Sequence, residues 1–227
     1  MSLLVYIPAR GGSKRIPMKN IRLFCGVPAL AHVIAIVNKI RPQPIVVVST
    51  DNEHIANVAR EREATVFYRD GCLSDDVTDL LTVVKADLDR LQSDFPGTSE
   101  IACVLPTAVL MSVEDLIDAV SLVRNDEDRF IVSVGRFRYP IQRALRADEN
   151  GHVEMLSPSN YLVRSQDLER HFHDAGQFYV GNSSAWRTRK TMFDPTPLGK
   201  VVEDWRVHDI DVEEDWIHAE LIWRARI

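Results

Sequence analysis

Residues 10 to 20 read Arg-Gly-Gly-Ser-Lys-Arg-Ile-Pro-Met-Lys-Asn and set four cations, Arg10, Lys14, Arg15 and Lys19, around the paired glycines Gly11 and Gly12. Adjacent glycines let backbone N–H groups turn toward a ligand, and small residues such as Ser13 let that ligand approach closely. Cations about such a nest favour a polyanion, most simply a nucleoside triphosphate. The stretch is neither a P-loop nor the dinucleotide fingerprint, since G-x-x-x-x-G-K-[ST] and G-x-G-x-x-G are both absent. A solvated turn with scattered charge is the competing reading. Against it, the net charge of the whole chain is −6, so a basic loop is a local feature that needs a reason.

A second constellation lies near the other end of the chain. Asp209 and Asp211 are two residues apart, which on extended backbone puts both carboxylates on one side. Such a pair suits Mg²⁺, which takes one or two protein carboxylates plus phosphate oxygens and water. The alternative is that one aspartate caps the final helix and the other faces water; Asp211 can do both jobs. Three weaker patterns remain. Arg69 followed by Asp76 and Thr78 can grip a base edge or a ribose, or be an ordinary hydrophilic loop. Arg164, His173, Gln177 and Tyr179 offer a planar fork to a carboxylate and polar groups to hydroxyls or amides, or form a solvated loop. Gln142 and Arg143 are polar within an apolar run, and on the bare pattern a surface strand is the favoured reading. No nucleophile stands beside a base, and G-x-S-x-G is absent, so covalent catalysis is not expected. Cations plus a carboxylate pair suit displacement at phosphorus, where positioning and charge stabilisation do most of the work.

The elements that must hold these residues follow from periodicity. Leu3–Ile7 is an apolar, β-favouring run that suits a buried parallel strand, so the cationic loop opens at a strand's carboxyl end, where open α/β sheets bind ligands. A helix over 28–37 follows with Pro28 in its first turn, then a strand over 45–49, a helix over 52–62 capped by Thr50-Asp51, and a strand over 65–68. This β-α-β-α-β order predicts a mostly parallel sheet. Further on come a helix over 80–93, a strand over 101–105, a helix from Ser112 to about 124 and a strand over 130–134. From 137 to 176 short β-prone pieces alternate with turns, and Asn150-Gly151 signals a hairpin. That region has too few apolar residues for its own core and reads as an inserted arm of one domain spanning 1–227. Strands over 177–180 and 201–207, a helical piece over 183–190 and a final helix over 212–225 complete the chain.

Composition is that of a soluble α/β domain, 45% apolar and 26% charged in 227 residues. The acidic balance argues against a nucleic-acid partner. Three scattered cysteines, Cys25, Cys72 and Cys103, do not form a disulfide framework or a zinc site and fit reduced thiols in the cytoplasm. No stretch has membrane-spanning length and no signal-peptide pattern opens the chain.

The run I-P-A-R-G-G-S-K-R-I-P-M-K-N resembles the nucleotide-binding loop of the CMP-sugar synthetases, the cytidylyltransferases for acidic nine-carbon sugars. Y-P-I-Q-R-A-L, R-S-Q-D-L-E, H-D-A-G-Q-F-Y and D-I-D-x-x-x-D-W extend the likeness over nearly the whole chain, toward the pseudaminic acid cytidylyltransferases. The resemblance implies a Rossmann-like nucleotidyltransferase sheet with a dimerisation arm, a homodimer, and transfer of CMP from CTP to the sugar's anomeric hydroxyl with Mg²⁺. It implies that Arg10, Lys14 and Lys19 handle the triphosphate with Ser13, and that backbone groups of Ala9, Gly11 and Gly12 and the side chain of Asn20 meet the nucleotide. Arg69, Asp76 and Thr78 fall on the base and ribose side. Gln142, Arg143, Arg164, His173, Gln177 and Tyr179 fall on the sugar side, and Asp209 and Asp211 hold the metal.

Three departures bear on the sugar and the nucleoside. Leu105 stands where sialic acid synthetases carry glutamine, His173 replaces an arginine of those enzymes, and Asp70-Gly71-Cys72 replaces a Pro- and Glu-bearing loop. The reading is therefore a cytidylyltransferase for pseudaminic acid. Its rivals are one for sialic, legionaminic or 3-deoxy-octulosonic acid, and a CTP-binding sensor without turnover.

Overall fold

The computed structural model describes residues 2–74, 78–125 and 129–225. The apolar run at the amino end is β1 (Ser2–Pro8), and its side chains alternate between two cores. Leu3, Val5 and Ile7 enter one, Leu4 and Tyr6 the other. A short hairpin, β2 (Leu23–Phe24) and β3 (Val27–Pro28), leads into α1 (Ala29–Val37). The chain continues through β4 (Ile45–Thr50), α2 (Glu53–Arg60), β5 (Thr65–Tyr68), α3 (Leu80–Asp94), β6 (Thr98–Val104), α4 (Val113–Asn125) and β7 (Ile131–Arg136). After the arm, whose hairpin is β8 (Leu145–Ala147) and β9 (Val153–Met155), come β10 (Phe172–Asn182), α5 (Ser183–Thr188), β11 (Leu198–Val201) and α6 (Glu213–Ala225).

The main sheet has seven strands in the order β11-β7-β10-β6-β1-β4-β5. All run parallel except β10, which lies antiparallel to both neighbours. Side chains of α1, α2, α4 and α6 fill the core on one face, and those of α3 and α5 fill it on the other. The expected mostly parallel α/β sheet is therefore present. Its topology also fixes where a ligand belongs. From β1 the chain winds outward to β4 and β5, then returns to the opposite side of β1 as β6. The order reverses at β1/β6, and the crevice at that reversal faces the carboxyl ends of both strands.

Three boundaries that bear on the site differ from those read in the sequence. The cap of α2 is Asn52, whose Oδ1 accepts the N–H of His54 and Ile55, because the Asp51 carboxylate is already bonded to Gly11. β10 starts at Phe172 rather than Gln177, which shortens the irregular arm to 137–171. The last strand is Leu198–Val201; the Val202 N–H still donates to Val134 O at 2.9 Å, and the chain leaves the sheet after it. Asp209 and Asp211 consequently sit on an irregular crossing segment and not at a strand end.

Beneath the crevice a polar bond ties α3 to the sheet. Buried Tyr6 donates its hydroxyl to Asp87 Oδ2 at 2.5 Å, and buried Ser49 donates to the same oxygen at 2.8 Å. Burial, then the charge of Asp87, pushes the Tyr6 phenol far above its ordinary range. Asp87→Ala strands two buried hydroxyls, each costing about 1–3 kcal/mol. Urea denaturation should register a loss of that size, and an unchanged midpoint would show the bond to be idle.

Candidate active site

The cationic loop begins one residue beyond β1. Ala9 is fully buried and its N–H still pairs with Ser49 O at 2.8 Å, so the strand's pairing carries on to the residue before Arg10. The Gly11 N–H donates to Asp51 Oδ1 at 2.8 Å. A Cβ at Gly11 would lie 2.8 Å from the Asn52 side-chain nitrogen, so the approach to the α2 cap requires glycine. Ile16 anchors the loop in the core, and Asn20, 5% exposed, donates to Arg10 O at 2.8 Å. Asn20 thus shapes the loop as well as lining the cleft.

The cleft encloses about 360 Å³. Of the residues singled out in the sequence, Arg10, Ser13, Lys14, Lys19, Asn20, Arg69, Thr78, Asp209 and Asp211 line it. Ala9, Gly11 and Gly12 are not among the lining residues; Ala9 is buried between the lining residues Pro8 and Arg10 in the chain, and the glycines belong to the same loop. Asp76 is outside the described residues. Lining residues that did not enter the candidate set include Arg15, Ile16, Leu73, Leu80, Val83 and the Leu105-Pro106-Thr107 turn. The turn had a legible signal: it stands at the carboxyl end of β6, the strand that flanks β1.

Two ends of the chain meet across this space. Lys19 Nζ donates to Ile210 O at 2.5 Å and lies 3.2 Å from Asp211 Oδ1, while an Arg15 guanidinium nitrogen is 2.9 Å from Asp211 Oδ2. Burial works to raise the Asp211 carboxyl, but the Lys19 and Arg15 cations outweigh it and hold the group below the ordinary aspartate range. Asp209 behaves oppositely. Burial, then the neighbouring charge of Asp211, pushes it up. Asp211 is not the helix cap: the Asp215 carboxylate takes the N–H groups of Asp211 and Val212, each at 2.9 Å.

The donor set fits a divalent metal on the terms Mg²⁺ accepts. Two carboxylates face one cleft, one of them strained by its neighbour's charge, and among the described residues no group of three or more ligating side chains gathers. An ion here would take two protein carboxylates and complete its shell from phosphate and water.

The candidate sugar residues are arranged differently. Gln142 donates to Glu169 O at 3.0 Å, Arg143 to Val163 O at 2.6 Å and Arg164 to Asp167 Oδ2 at 2.8 Å, so all three brace the arm. His173 packs edge-on against Phe137 at the arm's root. Gln177 is only 1% exposed and gives its amide N–H to Arg206 O at 2.6 Å. Tyr179 is buried and donates to Asp174 Oδ2 at 2.6 Å. None of the six lines the cleft of its own chain.

A crevice at the reversal point of a parallel sheet, with cations on one lip and paired carboxylates on the other, defines a nucleotidyltransferase-type α/β protein. A family model described as cytidylyltransferase matches residues 4–186, and the chain belongs to that family. It is 37% identical over 99% of its length to the pseudaminic acid cytidylyltransferase of Campylobacter jejuni, covering 97% of that protein. It is 28% identical to the CMP-N,N'-diacetyllegionaminic acid synthase of Legionella pneumophila, covering 97% of this chain and 95% of the other. The solved CMP:2-keto-3-deoxy-manno-octonic acid synthetase, determined with CTP, matches over 100% of both chains with a TM-score of 0.70 at 11% identity, a likeness of fold.

Proposed function

We propose that this cytidylyltransferase moves CMP from CTP to the anomeric hydroxyl of pseudaminic acid and releases pyrophosphate. The observation that carries the reaction is the meeting of the 10–19 loop with Asp209 and Asp211 across one cleft, the loop's Lys19 lying 3.2 Å from Asp211. The near full-length likeness at 37% identity supports the sugar. The anomeric hydroxyl gives its proton to solvent water as its oxygen attacks the α-phosphorus of CTP, and the bond from that phosphorus to the β-bridging oxygen breaks, its electron pair leaving with pyrophosphate. Arg10, Lys14 and Lys19 hold the phosphates and stabilise the charge that grows on the leaving group. Lys19 and Arg15 exchange a carboxylate partner for phosphate oxygens as the nucleotide enters. Asp209 and Asp211 are the residues that would hold Mg²⁺, whose chemistry when bound is neutralising phosphate charge and lowering the pKa of the attacking hydroxyl. Arg69, which lines the cleft and is 9% exposed, takes the base and ribose side in this reading.

The arm completes the proposal. It exposes Tyr139 at 84%, Tyr161 at 71% and Leu162 at 88%, an apolar surface of the kind that binds protein. A second copy of the chain covers it in this reading, which sets Gln142, Arg143 and Arg164 near the partner's cleft. Free Cys25 and Cys103 thiols support a cytoplasmic setting, which cell fractionation checks. Among the described residues no helix is long and apolar enough to cross a membrane.

Purified protein is incubated with CTP, Mg²⁺ and, separately, pseudaminic, legionaminic and sialic acids, and pyrophosphate is measured. Release with pseudaminic acid, from a particle of twice the chain mass by light scattering, is the expected result. Release with another sugar alone overturns the substrate. CTP binding without release overturns the reaction.

A further inference from the structure

Asp209 lies on a segment with no regular structure, so something other than secondary structure must fix its carboxylate. That something is an irregularity in β10. Pairing between β10 and β7 runs in register to Asp174↔Val134 and resumes at Tyr179↔Val132. Ala175, Gly176, Gln177 and Phe178 therefore stand opposite the single residue Ser133. An ordinary bulge adds one residue, and a larger one leaves more amides without ladder partners. Here Ser133 Oγ, fully buried, accepts the N–H of Gln177 at 3.3 Å and of Phe178 at 3.1 Å. The Gly176 N–H turns to Asp174 Oδ1 at 2.9 Å.

The bulge presents two features to the crossing segment. Gly176 adopts a left-handed φ of 62°, and a Cβ there would lie 2.9 Å from Asp209 Cγ and 3.2 Å from Asp209 Oδ1. The Asp209 carboxyl thus rests directly on the Gly176 backbone. Gln177, three residues further into the sheet than Asp174, hooks Arg206 O with its carboxamide at 2.6 Å. Arg206 is itself fixed on the other side by Asp115 of α4 at 2.8 Å. The backbone that leads to Asp209 is held from both flanks just before it enters the cleft.

We infer that the bulge in β10 sets the Asp209 carboxylate, with Gly176 as its seat and Gln177 and Ser133 as positioning residues. The inference rests on the reading of Asp209 as a metal-holding carboxylate. Groups that orient metal ligands from behind typically govern affinity by 10–100-fold.

Mn²⁺ is the probe, its binding followed by electron paramagnetic resonance in the presence of CTP. Gln177→Met keeps the volume, removes the hook, and also removes a buried Oε1 that has no partner, so folding is preserved. It should weaken Mn²⁺ binding by about tenfold or more, leave CTP binding in EDTA unchanged, and shift activity to higher Mg²⁺ with maximal turnover largely restored. Gly176→Ala should act in the same direction more strongly; its folding is checked by circular dichroism, and Gln177→Met carries the test if it unfolds. In an Asp209→Asn background, Gln177→Met should have no further effect on Mn²⁺, which a general loss of rigidity would not reproduce. Unchanged Mn²⁺ affinity in Gln177→Met, or an equal loss in the Asp209→Asn background, overturns the inference alone. Absence of Mn²⁺ binding by the unaltered protein with CTP overturns the metal reading and this inference together.

Discussion

Lys14→Ala is expected to lower turnover by about 10²-fold or more, the cost of removing one preorganised charge from the site of transition-state stabilisation. Lys14 is exposed on the loop and lines the cleft, so its loss takes no side chain from the core. Lys19 would be a poorer probe. It also donates to Ile210 O, and its removal would loosen the tie between the loop and the carboxylate segment. The proposed role of Lys14 is to meet charge that grows as pyrophosphate leaves. The effect should accordingly fall on kcat more than on KM for CTP. Lys14→Arg keeps the charge with a different fork and should recover part of the rate. Turnover within a few-fold of normal in Lys14→Ala would remove the residue from the machinery.

The loop and its strand were legible because both signals are local. Five apolar residues followed by Arg-Gly-Gly identify a buried strand and the turn at its carboxyl end. Once β1 is placed, the rule for open α/β sheets places the ligand. Asp209 and Asp211 were legible as two carboxylates that share one cleft, but the backbone that carries them was not. Val201 to Val207 has the alternation of a strand, yet only Val201 of that run belongs to β11. Beyond Val202, whose N–H still reaches Val134 O, the run is drawn off the sheet by contacts remote in sequence. Arg206 pairs with Asp115, and a Cβ at Gly135 would meet Val207 at 2.7 Å, so the segment lies hard against β7. The start of β10 was missed for a related reason. Its first residues, Phe172 to Asp174, pair with β7 in a register that the bulge separates from the pairing of Tyr179 onward. A pattern of period two breaks at a bulge and reads as a loop.

The cap of α2 illustrates a local ambiguity settled at a distance. Thr50, Asp51 and Asn52 are all competent caps. Asp51 is claimed by the Gly11 N–H of the loop, which leaves Asn52 to the helix. The same bond makes the loop's first turn depend on the neighbouring strand's end, and thereby couples β1 and β4 at the mouth of the cleft. Gln177 is the reverse case. Its residue type fits a sugar contact, but 1% exposure and a bond to Arg206 O give it a place behind the site.

Asp209→Asn is expected to separate stability from activity. In the metal-free protein Asp209 is exposed at the cleft, yet its carboxyl pKa is raised, first by partial desolvation and then by the charge of Asp211. A raised carboxyl pKa means that the folded state pays to ionise the group, so at neutral pH the charge opposes folding. Asparagine keeps the shape, rests on Gly176 in the same way and carries no charge. Without magnesium the variant should therefore unfold at an equal or higher denaturant concentration. Turnover should fall by at least about 10²-fold, since the site loses one of two charges that would hold the metal against the phosphates. The remaining activity should need more Mg²⁺ to saturate. Asp211→Asn offers the contrast. It removes the partner of Lys19 and Arg15 as well as a metal-holding group, so it should lose both stability and turnover. A magnesium titration unmoved by Asp209→Asn would refute the metal role of the pair, whatever became of the rate. A lowered denaturation midpoint in the metal-free variant would refute the electrostatic account of why this carboxylate is held where it is.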